Sequence, residues 1–201
     1  MGKVNSTSIL SGLLIGIGVI ANLCSQNNYI GAMLFSFALL TIIKKHLQLY
    51  TGQVGFIQEK RYQIKELINI LIHNFLGVTI GVLPIFIKNS NNLNRMIEIS
   101  NVKFSSTFFE LFLYGFFCGI LMLIAVYCNE TIITIFCIMI FILSGYEHCI
   151  ADFPFLLVNL SIENIAKFLM IILGNSLGAI FTYNLLIKVG DKNSKLFTES
   201  L

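Results

Sequence analysis

Six apolar blocks, at residues 9–24, 29–43, 67–87, 108–126, 131–150 and 165–187, recur along this chain and set what it can fold into. The hydrocarbon core of a bilayer is about 30 Å thick and takes roughly 20 helical residues to cross. Charge is correspondingly scarce: 11% of the 201 residues are charged, where a soluble domain carries roughly 25%. The expected fold is an all-α integral membrane protein, one domain over residues 1–201 with six transmembrane helices. The first block reads as a retained helix rather than a signal peptide, because only Lys3 precedes it and no small-residue cleavage site with a polar mature domain follows.

Charge also excludes function classes. The net charge is +3 and the basic residues are scattered, so no nucleic-acid surface is expected. Lysine and arginine still carry topology. Lys3, Lys60, Arg61, Lys65, Lys188, Lys192 and Lys195 fall on one side of the bundle, against Lys88, Arg95, Lys103 and Lys167 on the other, which places both termini in the cytoplasm of a cell-membrane protein. The Asn-rich stretch KNSNNLN, residues 88–94, reads as a surface loop. Cys24, Cys118, Cys128, Cys137 and Cys149 lack CxxC spacing and read as small hydrophobes, and His46, His73 and His148 lack metal-ligand spacing. Neither a metal nor another cofactor is expected.

Two blocks run into something other than a loop. The second continues as KKHLQLYTGQVGF and the fifth as YEHCIADFPF, each followed by further apolar residues. Both read as helices broken at membrane depth, where irregular backbone survives only inside protein or beside a water-filled cavity. The following helix carries HNFLGVTIG in one half, with Asn74, and LGNSLGAIF in the other, with Asn175. Each half is thus helix, broken helix, helix, over residues 8–88 and 105–188. Three helices per half make the second copy inverted, and paired interruptions in inverted repeats point to a transport site between the halves.

Ionisable residues inside a membrane span are costly and face the bundle interior, which makes them functional candidates. His148 leads, since histidine alone titrates near neutrality without perturbation and can exchange a proton along an uncharged path. Glu147 and Asp152 read as supports that accept freed backbone N–H groups or a neighbouring hydroxyl. Thr51, with a hydroxyl that donates and accepts, is placed to work with His148. Lys44 and Lys45 end the short second block, where they either snorkel to the interface or form a positive vestibule. Gly174-Asn175-Ser176-Leu177-Gly178 matches a G-x-S-x-G elbow, but inside an apolar helix rather than at a strand-to-helix turn, so hydrolase chemistry is not expected.

GYEHCIADF resembles the GFEHSxAN segment of the formate/nitrite transporter family, LYTGQ its LFTxN loop, HNFLG its NFxGN and LGNSLGA its LGNxxGG. The four occur in order over nearly the whole chain. The resemblance implies an aquaporin-like arrangement of inverted repeats, a homopentamer with one pore per protomer, and passage of formate, nitrite, hydrosulfide or short monocarboxylates as anions or conjugate acids. It also implies a central histidine at His148, a loop threonine at Thr51, a glutamate at Glu147 and a pore asparagine at Asn175. By the same resemblance, Phe35, Leu39 and Phe141 fall where the family places its apolar constrictions, with Tyr50 in the place of a phenylalanine. Asp152 stands in place of the family's asparagine, Val78 in place of the second asparagine of NFxGN, and Glu130 where the family has a basic residue. The expected mechanism is protonation of the anion by His148 with Thr51, so that a neutral acid crosses the constrictions. The competing reading is a neutral-solute channel in which His148 only donates a hydrogen bond; a non-transporting membrane protein would not need the paired breaks.

Overall fold

Apolar runs longer than about 18 residues leave the backbone one way to satisfy itself in lipid, and the chain takes it throughout. The computed structural model describes residues 2–59, 61–87 and 91–198, and these are all-helical apart from short links. Lys60, Lys88 and the start of the Asn-rich stretch lie outside the described residues, as do the side chains of Lys3, Lys192 and Lys195. In order come α1 (Lys3–Cys24), α2 (Asn28–Lys44), α3 (Tyr50–Gln53), a 3-10 segment (Val54–Glu59) and α4 (Ile64–Ile87). Then follow α5 (Asn91–Ser105), α6 (Phe108–Cys128), α7 (Thr131–Leu143), α8 (Cys149–Leu157) and α9 (Ile162–Thr198).

Among the described residues, four helices are long and apolar enough to cross a membrane: α1, α4, α6 and the first part of α9. The chain is a multi-pass membrane protein. α2 and α7, with 17 and 13 residues, reach only about 26 and 20 Å at 1.5 Å per residue. Each stops in the same way. The N–H groups of His46 and Leu47 turn back onto the carbonyls of Ile43 and Ile42 at 3.1 and 2.9 Å, and those of Gly145 and Tyr146 onto Ile142 and Phe141 at 3.2 and 2.9 Å. This is a Schellman stop, which needs a left-handed residue just past the helix. His46 (φ 51°) and Gly145 (φ 68°) supply it. Three residues then link each stop to a short helix, α3 or α8.

Close packing within each half rests on small residues. A Cβ on Gly77 would lie 2.1 Å from the Ile9 carbonyl oxygen, and one on Gly178 would lie 2.0 Å from that of Phe116. Gly77 of α4 meets α1 at Ile9 and Leu13, Gly81 meets it at Leu13 and Gly16, and Gly174 and Gly178 of α9 meet α6 around Phe116, so backbones touch where any side chain would hold them apart. The G-x-S-x-G match is therefore part of a helix-packing seam.

One stretch differs from its sequence reading. Instead of a loop, the polar residues from Asn91 onward form α5, because Met96, Ser100 and Phe104 recur every fourth position and are all buried. Arg95 donates to the Leu23 and Ser25 carbonyls at the end of α1 (2.7 and 3.1 Å), and the Ser100 hydroxyl to the Phe155 carbonyl of α8 (2.6 Å). Lys167 of α9 donates to Phe104 O at 2.7 Å. α5 is thereby bolted over the second break.

Candidate functional site

Breaking a helix at membrane depth strands backbone groups that lipid cannot satisfy, and the two breaks solve this with one device. In the first, Asn74 of α4 accepts the Tyr50 N–H at 2.9 Å and donates to the carbonyls of Ser8 (2.8 Å) and Gln48 (2.9 Å). In the second, Asn175 of α9 accepts the Cys149 N–H at 2.9 Å and donates to the carbonyls of Gly115 (2.8 Å) and Glu147 (2.7 Å). Each amide is fully buried and spends both its protons on backbone. Asn175, expected on the substrate path, is thus occupied as the counterpart of Asn74.

The breaks bring Thr51 and His148 together. Thr51 Oγ1 lies 2.9 Å from His148 Nε2, with Thr51 0% and His148 1% exposed. The Ala151 N–H, in the first turn of α8, donates to His148 Nδ1 at 3.2 Å. A ring nitrogen that accepts carries no proton, so the neutral imidazole has its proton on Nε2 and donates it to Thr51. The Thr51 hydroxyl proton is then left for another acceptor. Doubly protonating the ring requires the Ala151 contact to open.

Two cavities flank this pair at opposite ends of α2. One, about 470 Å³, is lined by Leu49, Gly52, Gln48 and Gln53 of the first break, together with His46 and Arg61. The other, about 310 Å³, is lined by Phe35, Phe141, Ala151, Asp152, Lys103 and Arg95. Phe35 and Phe141 meet edge-on at 5.9 Å between centroids, and Phe141 stacks on the His148 ring at 5.8 Å and 23°. Phe141 is thus shared between the lining of the second cavity and the face of the imidazole. Leu39 is buried and lines neither cavity, while the Tyr50 hydroxyl lies 2.8 Å from Ser176 Oγ of α9.

The carboxylates sit differently from expectation. Glu147 and Asp152 leave the stranded N–H groups to the asparagines, and both reach the Lys103 ammonium of α5, Asp152 at 3.0 Å. Burial opposes the lysine's charge, and the adjoining Asp152 and Glu147 side chains offset that cost. Lys44 and Lys45 are exposed and line neither cavity; Lys44 Nζ donates to the Asn129 carbonyl instead. The basic groups inside the cavities are Lys103 and Arg95 on one side and Arg61 on the other. Sequence reasoning counted Lys103 and Arg95 only as loop charges. The signal that finds them is the four-residue spacing of Met96, Ser100 and Phe104, which turns the supposed loop into a helix with Lys103 beside its buried stripe.

Residues 1–189 match the sequence model of the formate/nitrite transporter family. Among solved structures, an FNT family ion channel is similar with a TM-score of 0.78 at 18% identity, over 92% of this chain and 89% of that one. A pentameric formate channel with formate bound is similar with a TM-score of 0.72 at 20% identity, over 96% of this chain and 97% of that one. No curated protein matches the chain in sequence.

Proposed function

The chain belongs to the formate/nitrite transporter family, whose members and structural neighbours are channels and transporters rather than enzymes, and we propose that it passes formate-like monovalent anions as their conjugate acids. The observation that carries this reading is the Thr51–His148 contact at 2.9 Å, made where two broken helices meet between two cavities. A bare anion cannot cross an apolar pair such as Phe35 and Phe141 cheaply, because its lost hydration is not replaced. A neutral acid can. His148, charged when Ala151 releases Nδ1, passes a proton through the Thr51 hydroxyl to the anion and returns to neutral; the proton is recovered on the far side. Asn74 and Asn175 hold the two breaks in register for this exchange, and Asp152 and Lys103 line one vestibule, with Glu147 against the same ammonium.

Formate and nitrite are the substrates that the family's description supports, with hydrosulfide and short monocarboxylates sharing their size and single charge. The halves act as inverted repeats in a single domain, an aquaporin-like plan supported by the matching Schellman stops and asparagine caps. The related formate channel is pentameric, and a homopentamer with a pore in each protomer is the assembly we assign here. Both termini lie in the cytoplasm of a cell-membrane protein, so that the cavity beside Lys103 faces outward.

Formate uptake by the full chain in proteoliposomes, read together with internal pH, tests the mechanism. Replacing His148 with Phe is expected to abolish proton-coupled uptake. Coupled uptake that survives H148F refutes the histidine's role, and uptake of glycerol without any movement of charge or protons supports the neutral-solute reading instead.

A further inference from the structure

Beside α5, two carboxyl groups share a single ammonium. Lys103 is the one ammonium touching both Glu147 and Asp152, and all three side chains are largely enclosed, at 14%, 6% and 7% exposed. Two ionised carboxylates against one lysine would leave a net negative charge buried in a membrane protein, an arrangement that proteins avoid by taking up a proton. The atoms point to where it goes. Asp152 Oδ1 faces Lys103, while Asp152 Oδ2 is buried without a hydrogen-bond partner and belongs to a residue lining the 310 Å³ cavity. An ionised oxygen left unpartnered is costly, whereas a protonated one is neutral and can donate. The other ionisable groups around it are Arg95 of α5, Tyr146 and His148 of the second break, Cys149 of α8 and Cys118 of α6; none of them supplies a second fixed cation in contact with the carboxylates.

The proposed function leaves this step open. His148 does not line this cavity, whereas Asp152 and the Phe35–Phe141 pair do, so a proton held at His148 is not presented to an anion within it. We propose that Asp152 holds a proton at rest and gives it to a small monovalent anion in this vestibule, ahead of the Phe35–Phe141 pair. The O–H bond of the Asp152 carboxyl group breaks as the bond between the proton and the anion forms. The neutral acid moves on, and the carboxylate left behind faces Lys103 until a hydronium ion or buffer acid from the same side restores its proton. Nothing is oxidised or reduced, and one proton enters the path with each anion. The inference rests on the acid-permeation reading above for its transport role, but the resting proton is independent of it.

Infrared spectroscopy of the full chain in lipid at neutral pH reads that proton directly. The carbonyl stretch of a protonated carboxylic acid is expected in the unaltered protein, absent in D152N and retained in E147Q. A band that survives D152N, or is missing from the unaltered protein, overturns the proposal. Formate flux gives the second readout. Without a vestibule acid the variant depends on formic acid drawn from bulk, whose share falls about tenfold with each pH unit above its pKa. The ratio of unaltered to D152N flux is therefore expected to rise roughly tenfold or more between about pH 5.5 and pH 7.5. A ratio that stays constant with pH overturns Asp152 as the donor. Because the infrared band does not require transport, its presence without formate flux would uphold the resting proton and count against the permeation reading alone.

Discussion

Asn74 and Asn175 sit 101 residues apart in this 201-residue chain and make the same three hydrogen bonds to backbone. An asparagine suits this place because one amide offers an acceptor and two donors in a fixed plane, matching one stranded N–H and two carbonyls. Alanine at either position orphans all three groups, each costing about 1–3 kcal/mol when buried. N74A and N175A are therefore expected to lower the apparent melting temperature in detergent by similar amounts, equivalent to about 3 kcal/mol or more. A large loss in one variant with none in the other would contradict the shared role. Aspartate in the same positions would keep the acceptor but lose both donors. Each residue was legible in sequence as an asparagine near glycines after a helix break. Its target was not, because the partners Ser8 and Gly115 belong to a different helix and are chosen by packing.

At the scale of elements, the two broken helices share a stop but not its residue. A left-handed conformation costs a residue with a Cβ about 1–2 kcal/mol, and glycine about nothing beyond its greater chain entropy. The first break has His46 there and the second Gly145. Opposite outcomes follow: H46G is expected to stabilise the protein by about 0.5–1 kcal/mol and G145A to destabilise it by about 1 kcal/mol. Thermal unfolding of the two single variants in the same detergent checks the sign, and stabilisation by G145A would contradict the assignment. The breaks announced themselves because polar residues interrupt an otherwise apolar run. α5 did not, since its polar composition outweighs a stripe of three buried residues and only the folded chain shows what covers it. Lys103 was misread for the same reason: it meets Glu147 across 44 residues of sequence, a distance at which periodicity carries no information.

The whole molecule is two pairs of tightly joined helices, α1 with α4 and α6 with α9, holding the broken segments between them. In lipid, apolar side chains gain little by leaving the bilayer for each other, so association depends on how closely the backbones approach. That makes position 178 far more demanding than position 177 beside it. Leu177 is 41% exposed and faces outward, whereas a side chain at Gly178 would occupy space already taken by the Phe116 carbonyl, which backbone cannot yield without separating α6 from α9. Overpacking a fitted interior costs about 1–3 kcal/mol when side chains can adjust, and more when the obstacle is backbone. Separation would also move Asn175 away from Gly115, Glu147 and the start of α8, carrying His148 away from Thr51. G178L is expected to lose monodisperse protein on size exclusion, while L177A keeps both its elution profile and its formate flux. A G178L protein that elutes and transports normally would mean that the seam is not what sets the geometry of the path.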